Sequence, residues 1–149
     1  KVYPHRRVRA TPELPHFVPF NACCQYPQLA YSAPLKATFV ELPAFERLRP
    51  DYLSDEEFAV LQQALMDRPD TGNVMPGTGG LRKLRFADAR RRKGTRGGLR
   101  IVYFHWLAGQ QFWLFTLYDK DEASDLTAIQ RRVFKKALEA ELKARRLNG

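Results

Sequence analysis

Alternating apolar and polar positions mark three strands in the second half of the chain, at residues 80–87, 99–107 and 112–120. Ala108-Gly109-Gln110-Gln111 is a hairpin-sized connection, so the last two strands should pair antiparallel, while a longer loop, 88–98, joins the first two. Helical spacing appears on either side. Pro43 suits the first turn of a helix in which Phe45 and Leu48 share a face, ending near Pro50. Ser54-Asp55-Glu56-Glu57 has the form of a capping box and opens a second helix carrying Phe58, Leu61 and Leu65, with Ala64 and Met66 beside them. Pro69 and Asp70-Thr71-Gly72-Asn73 end it. Thr127-Ala128-Ile129-Gln130 repeats the capping form before a last helix running to about Arg146. There Ile129, Val133 and Ala137 make an apolar stripe, with Phe134, Leu138 and Leu142 alongside. With Leu35 to Val40 as a short first strand, the pattern predicts an α+β fold. It has a small, mainly antiparallel sheet: short N-terminal strand, two helices, three-strand meander, C-terminal helix.

Residues 1–35 show neither period. They hold six of the ten prolines, which fix backbone angles and remove donors, so they should form an extension outside the core, with the domain occupying 36–149. Cys23 and Cys24 are adjacent, and neighbouring cysteines on a trans backbone do not readily pair, which fits a reducing, cytoplasmic setting. No stretch approaches the length of a membrane span.

Charge changes this picture most. Between residues 81 and 100 stand Arg82, Lys83, Arg85, Arg90, Arg91, Arg92, Lys93, Arg96 and Arg100 against the single acid Asp88, a local charge of +8 in a chain carrying +9 overall. Strand alternation puts Lys83 and Arg85 on one face of the first strand, Arg100 on one face of the second, and Tyr118 with Lys120 on one face of the third. Cations mounted on a sheet and interleaved with apolar residues favour a shaped site for a polyanion, nucleic acid above all. The charges on the last helix, Arg131, Arg132, Lys135 and Lys136, read as its solvated face.

Other chemistries lack their residues. The turn Pro76-Gly77-Thr78-Gly79-Gly80 leads into Lys83 within a strand, whereas a phosphate loop needs its lysine followed by Ser or Thr at a helix start. His5, His16 and His105 show no ligand spacing, so neither metal nor cofactor is expected, and His105 reads as packed among Tyr103, Phe104 and Trp106. Asp119, Asp121, Glu122 and Asp125 stand where acids favour a helix start. What remains is Lys, Arg and Tyr, a set suited to RNA cleavage by the neighbouring 2′-hydroxyl, because the substrate brings its own nucleophile.

Three segments together carry a resemblance: Gly79-Gly80-Leu81-Arg82-Lys83-Leu84-Arg85-Phe86, Lys93-Gly94-Thr95-Arg96-Gly97-Gly98-Leu99-Arg100-Ile101-Val102-Tyr103-Phe104, and Tyr118-Asp119-Lys120-Asp121-Glu122 with the leucine-threonine helix start. From about Lys36 to Leu142 the chain resembles the RelE/ParE superfamily, nearest the HigB-type toxins. The resemblance implies a RelE-like sheet backed by two N-terminal helices, metal-independent mRNA cleavage on the ribosome, and neutralisation by a HigA-type helix-turn-helix antitoxin. It also implies catalytic roles for Lys83, Arg85, Arg100 and Lys120, with Arg100 steadying the scissile phosphate, and leaves Arg82, Arg90, Arg91, Arg92, Lys93 and Arg96 for RNA or ribosome binding. Arg85 stands where better-known members have a second lysine, so Lys83 is preferred as proton acceptor. Thr127 stands near the family's late tyrosine, for which Tyr118 is the nearest substitute. Two other readings stay open: a ParE-like toxin acting on a protein target, and a non-catalytic RNA-binding module.

Overall fold

The computed structural model describes residues 2–3 and 36–147. It shows the α+β class. The described residues form one six-stranded sheet in the order β1-β2-β6-β5-β4-β3, made of β1 (Val2–Tyr3), β2 (Thr38–Glu41), β3 (Asn73–Val74), β4 (Arg82–Phe86), β5 (Leu99–Trp106) and β6 (Gln111–Asp119). Among the described residues only β2 and β6 pair in parallel. Helices α1 (Pro43–Tyr52) and α2 (Asp55–Asp67) follow β2, and α3 (Ala128–Leu147) follows β6. Val2 and Tyr3 pair with Val40 and Phe39 on the outer edge of β2, so two residues of the N-terminal stretch belong to the sheet. The rest of the expected extension, residue 1 and residues 4–35, lies outside the described residues.

β6 is buried without interruption from Phe112 to Asp119 because both faces of the sheet are covered. Phe112, Leu114 and Leu117 pack with Phe45 of α1 and Phe58, Leu61 and Leu65 of α2. Trp113 and Phe115 pack on the other face with Met75, Leu81 and Leu138 of α3. Leu114 and Leu117, three apart, reach the same face because a bulge makes Val102 pair with Thr116 and Tyr103 with Leu114, leaving Phe115 as the extra residue.

The helix starts are as predicted. Ser54 Oγ accepts from the Glu57 amide at 3.2 Å while Glu57 Oε2 accepts from the Ser54 amide at 2.8 Å, and Thr127 and Gln130 repeat the exchange at 3.2 and 2.8 Å. α1 runs two residues past Pro50, because a missing donor in the final turn removes only one bond there. β3, in a stretch read as turn, adds a two-residue edge to β4.

The rotation of α3 differs from the expected stripe. Ile129 and Val133 are 72% and 56% exposed, whereas Leu138 is buried and Phe134, Ala137 and Leu142 pack against the sheet. Arg145 lies over the rings of Trp113 and Trp106, 4.6 and 5.8 Å from their centroids. The inward row is therefore Arg131, Phe134, Leu138, Leu142 and Arg145, set by the bulkier side chains and a cation-π contact. Arg131, expected in solvent, starts that row.

Candidate functional site

Register assembles the candidate residues. Arg85 sits opposite Arg100, and Arg100 opposite Tyr118, so these three form one row across β4, β5 and β6. Lys83 sits opposite Val102 and Val102 opposite Thr116 in the next row. Residues directly opposite share a face, and this is the face on which α3 packs. The segment before α3 borders Lys83 through Asp125, and the loop 88–98 borders Arg100. Lys120 does not join the row: β6 ends at Asp119, and Lys120 is exposed in the following turn.

The three residues of the row and Lys83 are not equally open. Lys83 and Arg85 line a cleft of about 380 Å³ with Thr71, Gly72, Asn73, Leu84 and Thr95. Arg85 is exposed and makes no ion pair among the described residues. Arg100 is 6% exposed, and its guanidinium donates to the carbonyls of Thr95, Gly98 and Leu99, each at 3.3 Å, and of Arg96 at 3.1 Å. It binds the loop onto the sheet as a buried cation with no carboxylate within ion-pair distance among the described residues. Tyr118 is 8% exposed, and its hydroxyl is covered and lacks a hydrogen-bond partner. Burial first, then the charge of Asp125, pushes that hydroxyl up to about 12, so it stays protonated.

Much of the basic loop is neutralised inside the molecule. Arg91 contacts the carboxylate of Asp119, which is fully buried, and lies 3.6 Å from Asp88 and 3.9 Å from Glu122. Lys93 contacts Asp121 and lies 3.8 Å from Asp119. That lysine holds the Asp121 carboxyl below the usual carboxylate range. Arg90 donates to the carbonyls of Asp51 and Pro50 at 2.9 and 3.2 Å and sits 3.7 Å from Glu57. Arg82 pairs with Asp70 at 3.2 Å and donates to the Asp70 carbonyl at 2.8 Å. Of the residues read as a binding surface, Arg92 and Arg96 are exposed without an ion pair among the described residues, as is Lys120.

No protein-family model matches the chain. The candidate site includes two residues that sequence reasoning did not place in it. Lys83 Nζ lies 3.1 Å from Asp125 Oδ1, and Arg131 donates to Asp125 Oδ2 at 2.8 Å. Burial alone would raise the Asp125 carboxyl, but the Leu126 amide, Lys83 and Arg131 outweigh it and hold the group below its ordinary value. The signal for this acidic partner set was present. In an antiparallel β5–β6 pair, the segments before β5 and after β6 emerge at the same end, which sets the basic loop beside Asp119, Asp121 and Glu122.

His105 is packed: its ring stacks on Phe112 with centroids 4.5 Å apart, and burial lowers its pKa. Thr78, in the glycine-rich turn, donates to the Met75 carbonyl at 2.6 Å and accepts from the Leu81 amide at 3.2 Å. That turn serves as a seat for α3, since a side-chain carbon on Gly79 would touch Leu138 at 3.5 Å. Among the described residues, no group of three or more His, Cys, Asp or Glu is arranged to hold a metal, and no helix is long and apolar enough to cross a membrane.

Proposed function

We propose that the cleft beside β4 binds RNA and cleaves it by attack of the substrate 2′-hydroxyl, in the manner that the resemblance to HigB-type toxins implies. The observation that supports this most is the exposed, unpaired guanidinium of Arg85 in a cleft with Lys83, backed by the buried cation Arg100 one strand away. A buried cation without a carboxylate partner projects its charge through a poorly screening medium, which favours the extra negative charge of a phosphorane. The attack forms a bond from the 2′-oxygen to phosphorus and breaks the bond to the 5′-oxygen. The products are a 2′,3′-cyclic phosphate and a 5′-hydroxyl end. One proton leaves the 2′-hydroxyl and one joins the 5′-oxygen. We assign Lys83, once it has given up its own proton, to the first side and Tyr118, whose hydroxyl keeps its proton, to the second, once the 120–127 segment shifts to uncover it. DNA, lacking the 2′-hydroxyl, would be bound and left intact.

The proposed setting is the cytoplasmic ribosome with mRNA in place, and the proposed neutralising partner is a HigA-type antitoxin. Expression in a bacterium followed by mapping of RNA 5′ ends tests the reading. Discrete new 5′-hydroxyl ends within translated messages are expected. Growth arrest with intact messages would instead favour a protein target, and RNA binding without new ends a non-catalytic module.

A further inference from the structure

We infer that Lys83, Arg131 and Tyr118 form an oxyanion subsite for a phosphate group, and that the carboxylate of Asp125 occupies it in this structure as an internal substitute. The inference deepens the proposed function and rests on reading the cleft as a phosphate site.

Two donors from two elements meet at the Asp125 carboxylate, and a third, from another strand, lies within reach of its charge. Lys83 arrives from β4 and Arg131 from the inward row of α3, and each gives one contact to a different oxygen of the same carboxylate, at 3.1 and 2.8 Å. Tyr118 arrives from β6, more than nine-tenths buried, with a hydroxyl that has no partner. The charges acting on it are those of Asp125, Arg100 and Arg131. The Arg131 Nε is likewise covered and unpartnered. Buried donors left unmet are costly, and an ammonium keeps further donors after its contact with Asp125. A carboxylate has two oxygens and saturates one contact from each cation. A phosphate carries more oxygens in a tetrahedral array and would also meet the two unfilled donors. The pair itself is only partly buried, with Lys83 and Asp125 side chains 25% and 39% exposed, so its contribution to stability is small and an anion can compete with it.

Asp125 is well placed to act reversibly. It precedes the capping box that opens α3, and its Oδ1 accepts from the Leu126 amide at 2.8 Å, with Leu126 buried behind it. A change in the 120–127 segment would withdraw the carboxylate without moving the strands that carry Lys83 and Tyr118. Full access of RNA to the subsite therefore requires Asp125 to leave.

The test uses inorganic phosphate as probe and needs no RNA. Wild type, Asp125→Ala, Asp125→Asn and the charge control Glu139→Ala are acylated with an amine reagent, and modification of Lys83 is followed by mass spectrometry. In both Asp125 variants phosphate should protect Lys83, by about tenfold at a concentration ten times the dissociation constant, and should raise the melting temperature. Wild type and Glu139→Ala, in which Asp125 competes for the same donors, should show both effects only weakly at that concentration. Asp125→Asn keeps the acceptor for Leu126 and guards against failure of the alanine variant to fold. If phosphate protects Lys83 no better in the Asp125 variants than in Glu139→Ala, the subsite is overturned, even where wild type cleaves RNA. If protection appears but wild type cuts no RNA, the subsite stands and the proposed cleavage falls.

Discussion

Arg91 reaches from the basic loop to the fully buried carboxylate of Asp119 at the end of the central strand. The contact makes the most basic stretch of the chain part of the fold's own electrostatics. Arg91 is itself 41% exposed, and Lys93 and the Asp121 amide also face Asp119, so removing Arg91 leaves that carboxylate only partly compensated. Arg91→Ala should therefore destabilise the protein by on the order of 1 kcal/mol, whereas Arg92→Ala should change little. Urea unfolding of the two variants measures this, and equal stabilities would show that Asp119 does not depend on Arg91.

The cations outside these pairs should carry the salt dependence of RNA binding. Each phosphate neutralised on a single strand contributes a slope of about 0.7 in log affinity against log salt. Arg85→Ala, Arg92→Ala and Arg96→Ala should each flatten the slope for a single-stranded oligonucleotide, and Arg90→Gln, already tied to Asp51 and Pro50, should leave it unchanged. Fluorescence anisotropy titrations at several salt concentrations decide the matter.

Gly72 fixes the backbone of the candidate cleft. Its φ is +81°, and a side-chain carbon there would lie 2.7 Å from the Lys83 carbonyl oxygen. Gly72→Ala should cost about 1 to 2 kcal/mol for the left-handed backbone, before the steric conflict, and should weaken RNA binding by displacing Lys83. A variant of wild-type stability and affinity would show that the edge at β3 gives way freely.

Stability should fall at both ends of the pH range for separate reasons. His105 has a folded pKa lowered by burial, so its unfolded form takes up a proton first. The stability it contributes is present above about pH 6.5 and is lost as pH falls through the lowered folded value. His105→Phe keeps a ring against Phe112 and should reduce the loss between pH 7.5 and 5. Tyr103 and Tyr118 are both raised to about 12 by burial. They contribute stability that is complete below the unfolded value of about 10 and declines as pH rises toward 12. Tyr118→Phe should soften that decline. Denaturant unfolding at pH 5, 7.5 and 10.5 reads all three.

Periodicity made the three long strands and all three helices legible, because their apolar residues repeat over several turns or pleats. It missed β3, whose two residues are too few to show a period. It also misplaced the inward face of α3, where two apolar rows overlap and the choice falls to Phe134, Leu138 and the Arg145 contact with two tryptophans. For the site, alternation put Lys83 with Arg85, Arg100, and Tyr118 with Lys120 each on one face of its own strand; register brings Lys83, Arg85, Arg100 and Tyr118 to a common face, and Lys120 falls in the turn after β6. Alternation specifies a face and not a partner. It does not show that the loop carbonyls fold over Arg100, or that Asp119, Asp121, Glu122 and Asp125 return beside the cations.

Arg85 gives the sharpest test of the proposed chemistry, since it is exposed and unpaired, and its loss should leave the fold intact. Single-turnover cleavage of mRNA on programmed ribosomes should fall on the order of 10² to 10³ in Arg85→Ala, with Arg85→Lys recovering only part because the bidentate fork is gone. Ribosome association, measured by pelleting, should change little. Cleavage by Arg85→Ala at the wild-type rate, or no cleavage by wild type under these conditions, would contradict a phosphodiester-cleaving site at this cleft.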